Sequence, residues 1–284
     1  MSTFVVFAKR ILRGVVWSRH LPSKQLAGGR SLRELDRIGG RLCDWLEGRG
    51  HVTLPVPAGS LDFERRQPEG LTPAGQGSFL LRLAAVEAGL ATWGLNAMVL
   101  TAAYGPRVYL GGVMTRLPLP ADPKIARELC LGLEECGRCA AICPEDAIPR
   151  RAPLGASLES VRGLDASACA RSSQPFAFRA FADHVAMILE DTDGERMWTR
   201  MRGRKSGEIW TEMAVMKEAA VTGCSECLQV CPVGEDYAGF ASTPHRRADL
   251  PAEVEKVVQD GFVEIRNVGP QVRRKQTWDI ETKT

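Results

Sequence analysis

Apolar residues recur at three- and four-residue steps through Leu32, Leu35, Ile38, Leu42, Trp45 and Leu46, which lines one face of a helix from about Ser31 to Glu47. Gly48 and Gly50 end it. Upstream, the apolar run Phe4 to Phe7 predicts a buried strand, and Leu54 to Pro57 predicts a short extended segment bounded by prolines. Residues 59–78, rich in glycine, proline and serine, read as a long loop of the kind that often faces ligands. Phe79 to Gly89 reads as helix and Gly94 to Thr101 as a strand-like run. After the turn Tyr104-Gly105-Pro106-Arg107, Val108 to Thr115 reads as a second strand, and these two strands predict a hairpin. Helix and strand mix here without the regular alternation of a doubly wound fold, so residues 1–122 predict an α+β domain.

Composition adds little to that picture. The chain has 284 residues, 44% hydrophobic and 25% charged, the balance of a globular protein with a proper core. Lys and Arg number 37 against 34 Asp and Glu, and the formal charge of +3 does not by itself argue for nucleic acid. The uncharged stretch Ala88 to Ala103 contains Asn96 and two glycines and falls short of the ~20 apolar residues of a membrane helix. The N-terminus places Phe4 to Ala8 before its basic residues, the reverse of a secretory signal. No membrane partner is expected, and the cytoplasm is the expected compartment, where clustered thiols bind metal or do redox work.

Nine cysteines change the picture. Cys43 lies alone inside the predicted helix, as a small core or boundary residue would. The others follow residue 129: Cys130, then Cys136-x2-Cys139-x3-Cys143-Pro144, then Cys169, then Cys224-x2-Cys227-x3-Cys231-Pro232. Both runs are close to the bacterial ferredoxin pattern, in which the cysteine before proline ligates the other cluster. Two residues between thiolates let a tight turn aim both at one cubane, and the proline sends the last thiolate elsewhere. Two [4Fe–4S] clusters need eight thiolates, and eight remain once Cys43 is set aside. Crossed ligation assigns Cys130, Cys136, Cys139 and Cys231 to one cluster and Cys143, Cys169, Cys224 and Cys227 to the other. The rival is a zinc site on Cys136, Cys139, Cys224 and Cys227, which leaves four cysteines without a role; unligated thiols are the third alternative. Five residues separate Cys130 from Cys136 where the ferredoxin run has two, so the place of Cys130 depends on how that loop folds.

The chain resembles the superfamily of epoxyqueuosine reductases and reductive dehalogenases from about Phe4 to Gly234. Ala88-Gly89-Leu90-Ala91-Thr92-Trp93-Gly94-Leu95-Asn96 is similar to the family's A-G-L-G-W-x-G-K-N segment. Tyr104-Gly105-Pro106-Arg107, Leu110-Gly111 and Thr115-Arg116-Leu117-Pro118-Leu119 resemble its Y-G-S, L-G and T-D-L-P-L runs, and Thr222 to Pro232 resembles its second cluster motif. The resemblance implies a nitroreductase-like α+β domain (1–122) that binds cobalamin, a ferredoxin-like two-[4Fe–4S] module (123–240) and a C-terminal tail (241–284). It places Trp93, Gly94, Asn96, Tyr104, Gly105 and Arg107 at the corrinoid, which this family holds largely by backbone contacts. Tyr104 and Tyr109 are the candidate proton donors.

The departures bear on activity. Ala91, Leu95 and Arg116 replace a family glycine, lysine and aspartate. Where epoxyqueuosine reductases carry a D-Y-H motif with its presumed proton donor, this chain reads Gly28-Gly29-Arg30-Ser31-Leu32, without acid or tyrosine. The expected function is a cobalamin-dependent iron–sulfur reductase of a small-molecule substrate. The alternatives are a non-catalytic corrinoid-binding or electron-transfer protein and a ferredoxin-type carrier without corrinoid. Arg196, Arg200, Arg202, Arg204 and Lys205 around Met197-Trp198 form a basic cluster. It suits docking of an acidic electron donor such as flavodoxin or ferredoxin, or tRNA, or is a solvated helix face.

Overall fold

The structure is a computed structural model that describes residues 2–18, 20–58, 66–67, 70–71, 81–173, 185–186, 188–190, 193–204, 206, 223–241 and 254–266. Helix and strand are mixed throughout. Strands β1 (Thr3–Arg10), β2 (Thr53–Val56) and β7 (Val108–Thr115) form an antiparallel sheet in the order β1-β7-β2, with Phe7 opposite Gly111 and Leu54 opposite Met114. β7 is the central strand and is buried along nearly all its length, which explains its unbroken apolar run.

Helix α1 (Arg13–Trp17) leads into α2, which runs from Leu21 to Glu47 and packs on the sheet. It starts ten residues before the predicted Ser31: Pro22 fits the first turn, and Gly28-Gly29 are carried inside it at a cost of about 1 kcal/mol each. The buried face is Leu32, Leu35, Cys43 and Leu46, while Ile38 and Trp45 are 40% and 53% exposed. Cys43 is a core residue. Most of the predicted 59–78 loop lies outside the described residues; within it Arg66–Gln67 (β3) pairs with Gly70–Leu71 (β4).

Helix α3 (Leu81–Glu87) follows, and the hairpin expected next takes another form. Thr92–Trp93 (β5) pairs with Val99–Leu100 (β6) around a tight turn closed by Gly94 N–H on Met98 O at 2.8 Å, and Val108–Thr115 pairs with β1 and β2 instead. The reversal falls at Gly94 to Met98, inside the stretch that reads as one strand.

The cysteine-bearing part is built from short helices: α4 (Gly132–Glu135), α5 (Arg138–Ile142), α6 (Leu158–Val161), α7 (Ala166–Ser173), α8 (Gly194–Met201), α9 (Glu226–Val230) and α10 (Tyr237–Ala241). Within the expected tail, Glu255–Gln259 (β9) and Phe262–Arg266 (β10) form a hairpin that joins Arg151–Pro153 (β8) in the order β8-β10-β9. Val263 and Ile265 of this hairpin are buried with Leu95, Leu133, Ala140 and Ile148. Leu228 and Val230 are buried with Ile11, Val16, Leu35 and Tyr109. Both apolar cores therefore run across residue 122. No helix among the described residues is long and apolar enough to cross a membrane.

Candidate metal and redox centre

None of the nine cysteines is paired in a disulfide. Cys130, Cys136, Cys139 and Cys231 line one pocket with Gly94, Asn96 and Arg138, enclosing about 380 Å³ of space, solvent at its mouth included. The extra residues after Cys130 are taken up by the single turn of α4, closed by Gly137 N–H on Gly132 O at 3.1 Å, so Cys130 and Cys136 meet in the same pocket. Gly137 has φ +63°, and a Cβ there would stand 2.5 Å from Ile265 Cδ1, so the hairpin strand β10 closes tightly over this turn.

The acidities of Cys143, Cys169, Cys224 and Cys227 are linked. Burial pushes the Cys227 thiol well above its ordinary range; charge on Cys224, Cys169 and Cys143 raises it further, while a hydrogen bond from Asn96 lowers it. Burial likewise raises Cys169, with Cys143 contributing. Cys224 is pushed up to about 12 by burial, with a smaller contribution from Cys143. Backbone bonds from Gly223 N–H to Ser173 O and from Cys224 N–H to Ser172 O, both 2.8 Å, fasten the second motif to the helix carrying Cys169. On the other side, burial holds Cys139 well above its ordinary range, followed by charge on Cys227, Cys231, Cys130 and Cys136. Cys231 is pushed up to about 12 by burial and Cys130 is raised by it, each with a contribution from Cys136. The two quartets adjoin at Cys139 and Cys227.

Donors are aimed at several of these sulfurs. Leu95 N–H donates to Cys130 Sγ at 3.4 Å and Ala147 N–H to Cys143 Sγ at 3.3 Å. Burial disfavours the charged form of these thiols, so an occupant that brings positive charge is what would hold them as thiolates, and sulfur-only donor sets are those of iron–sulfur clusters and zinc. Among the described residues, no group of three or more His, Cys, Asp or Glu side chains is gathered closely enough to hold a single metal ion. The four thiols that share one pocket, Cys130, Cys136, Cys139 and Cys231, make a sulfur-only donor set of the kind that fits a cubane, whose thiolates bind separate irons.

The residues expected at a corrinoid fall into two groups. Gly94 and Asn96 line the cysteine pocket. Gly105 faces the backbone of Val233, and Arg107 is fully buried against the loop after Cys231. Trp93 and Tyr104 are half-buried, with the guanidinium groups of Arg162 and Arg10 at 4.9 and 5.8 Å from their ring centres. Four of the six thus hold the cysteine loops. Tyr109 is buried in the sheet core, where burial pushes its phenol up to about 12, a poor setting for giving up a proton. Gly28 to Leu32 lie inside α2, not at its start.

Sequence reasoning missed Lys24, whose Nζ donates to Gly223 O and Ser225 Oγ, both at 2.7 Å, across 199 residues to the former. No local pattern marks it. In the basic cluster, Arg200 pairs with Glu190 at 2.7 Å and Arg202 lies 5.0 Å from the ring centre of the exposed Trp198, while Lys205 lies outside the described residues.

No protein-family model matches the sequence, and no curated protein does. Among solved structures, the catabolic reductive dehalogenase NpRdhA in complex with 3-bromo-4-hydroxybenzoic acid aligns at 16% identity and a TM-score of 0.47, over 84% of this chain and 26% of that one. A reductive dehalogenase structure described as suggesting a mechanism for B12-dependent dehalogenation aligns with the same figures. An epoxyqueuosine reductase with a tRNA-Tyr stem loop aligns at 23% identity and 0.28, over 44% of this chain and 25% of that one. The chain is similar in structure to reductive dehalogenases and to an epoxyqueuosine reductase, and it spans about a quarter of the length of each.

Proposed function

We propose that this chain is an iron–sulfur oxidoreductase of the cobalamin-dependent reductase type. One [4Fe–4S] cluster is held by Cys130, Cys136, Cys139 and Cys231, and a second by Cys143, Cys169, Cys224 and Cys227. The observation that carries the reading is the shared pocket, in which the cysteine preceding Pro232 joins the first motif instead of its own. Each motif then supplies ligands to both clusters, so neither half of the cysteine module is complete alone.

The hydrogen bond from Leu95 N–H to Cys130 stabilises negative sulfur and favours the reduced cluster. An acidic flavodoxin- or ferredoxin-class carrier would supply electrons one at a time. Arg196, Arg200 and Arg202 beside exposed Trp198 offer it a docking patch. A corrinoid, when bound, supplies a strongly reducing metal centre that no side chain provides. Its proposal rests on the motif resemblance, with Trp93 and Tyr104 as the half-buried residues left to meet it. The substrate is a small molecule, and tRNA is the less favoured partner.

A second reading, a non-catalytic corrinoid-binding or electron-transfer protein, is favoured by one observation. Gly28 to Leu32 bring no acid and lie within a helix, whereas reduction of an epoxide needs a proton at the leaving oxygen. Anaerobic reconstitution followed by addition of cobalamin separates the readings. A base-off absorption spectrum with reductive turnover supports the enzyme, the same spectrum without turnover supports the carrier, and no uptake leaves a plain two-cluster ferredoxin.

A further inference from the structure

Two buried cations of the N-terminal half reach the cysteine loops, one on each quartet. Arg107, 1% exposed, donates from Nη1 to Cys231 O at 3.0 Å and Leu228 O at 3.3 Å, and from Nη2 to Val233 O at 2.8 Å and Asp236 Oδ1 at 2.7 Å. Lys24, 4% exposed, donates to Gly223 O and Ser225 Oγ, both at 2.7 Å, the residues on either side of Cys224. Neither belongs to a cysteine motif, and each touches the backbone beside a cysteine of a different quartet.

We infer that Lys24 and Arg107 are positioning residues that set the ligand loops and reduction potentials of the proposed clusters separately, Lys24 acting on the Cys224 cluster and Arg107 on the Cys231 cluster. The inference rests on the two-cluster reading. Reduction adds one negative charge to a cubane, and a fixed cation nearby favours that state, more strongly in a low-dielectric interior than in water. Cluster potentials respond to net charge, hydrogen bonding and exposure. The two cations differ in how they act. Asp236 offsets the charge of Arg107, so the main effect of Arg107 is geometric: its planar fork holds three carbonyls of the loop that carries Cys231 across to the other motif. Lys24 donates to Gly223 O and Ser225 Oγ on either side of Cys224, with the buried carboxylate Glu226 two residues beyond that cysteine, and the charge of Lys24 is what its neutral variants remove.

The test is a reductive titration of the anaerobically reconstituted full chain, followed by electron paramagnetic resonance, with iron counted in parallel. Lys24→Met should keep about eight irons and move one cluster to lower potential by at least 59 mV, a tenfold change in a one-electron equilibrium, with the other cluster in place. Lys24→Gln, which keeps a donor but no charge, should do the same if the methionine variant fails to fold, and Lys24→Arg should restore the parent potential. Arg107→Lys keeps the charge and loses the fork, so it should lower the occupancy of one cluster at least twofold without moving the potential of the other. Unmoved potentials in both neutral Lys24 variants, or equal shifts of both clusters, overturn the assignment. Parent protein without iron removes the two-cluster reading itself, an outcome visible before any variant is compared.

Discussion

Gly105→Ala tests the joint between the N-terminal half and the cysteine module. Gly105 has φ +53°, and an added Cβ would stand 2.0 Å from Val233 O and 2.8 Å from Val233 C. The left-handed conformation costs alanine roughly 1 kcal/mol. Relief of the overlap needs the backbone around Val233 to withdraw by about 1 Å toward an ordinary contact distance. That movement breaks or lengthens the bonds from Arg107 Nη2 to Val233 O (2.8 Å), from Glu235 N–H to Ala102 O (2.9 Å) and from Asp236 N–H to Ala103 O (3.1 Å). At about 1 kcal/mol each, their loss brings the total to roughly 3–4 kcal/mol, a large share of the 5–15 kcal/mol typical of a folded domain. Cys231 lies two residues before Val233, so its cluster should weaken with the joint. The assay is guanidinium unfolding of the reconstituted protein with an iron count. Unfolding free energy within about 1 kcal/mol of the parent, with full iron, would refute the claim that this joint fixes Cys231.

Three further outcomes follow from the same geometry. Cys224→Ala should leave about four irons and lower the unfolding midpoint, because ligand thiolates hold the fold through the metal; a full iron count would remove Cys224 from the ligand set. Cys43→Ala should keep all the iron and cost about 1–2 kcal/mol as a small core truncation; iron loss there contradicts the assignment. The phenol of Tyr109 is raised by burial to about 12, whereas the unfolded chain releases that proton near its ordinary value of 10.0. The raised folded value means stability fully present below pH 10 that declines as pH climbs to about 12, by up to roughly 3 kcal/mol. Tyr109→Phe should lose that decline in urea unfolding of the reconstituted protein, and a parent-to-variant difference that stays flat from about pH 9 to 12 would show the phenol titrates normally.

The cysteine spacing was legible because ligand geometry imposes a short-range pattern on the chain, and Cys-x2-Cys-x3-Cys-Pro carries its own topology. The apolar stripe of α2 was legible for the same reason, since its period is local. Its first ten residues were hidden by Gly28-Gly29, where packing on the sheet overrides poor helix propensity. The β5–β6 turn and the β9–β10 hairpin were missed because their partners are set by burial around the cysteine loops, and a stretch following the last cysteine reads as a tail until Val263 and Ile265 are seen in the core. The motif places Arg107 at the corrinoid but gives no sign of the bonds its fork makes to the carbonyls of Leu228 and Val233, 121 and 126 residues along the chain. Lys24 had no signal at all, since one lysine near a helix start becomes meaningful only when Gly223 and Ser225 arrive beside it.

The central claim is that eight sulfurs divide into two sets, each closing on a cubane through one cysteine borrowed from the opposite motif. Mössbauer spectroscopy of iron-57-labelled protein, purified under anaerobic conditions, measures this directly. The account predicts about eight irons per chain, all in [4Fe–4S] environments, and Cys231→Ala removing the iron of one cluster while that of the other persists. A colourless protein with one zinc per chain, or a Cys231→Ala variant with undiminished iron, would contradict it.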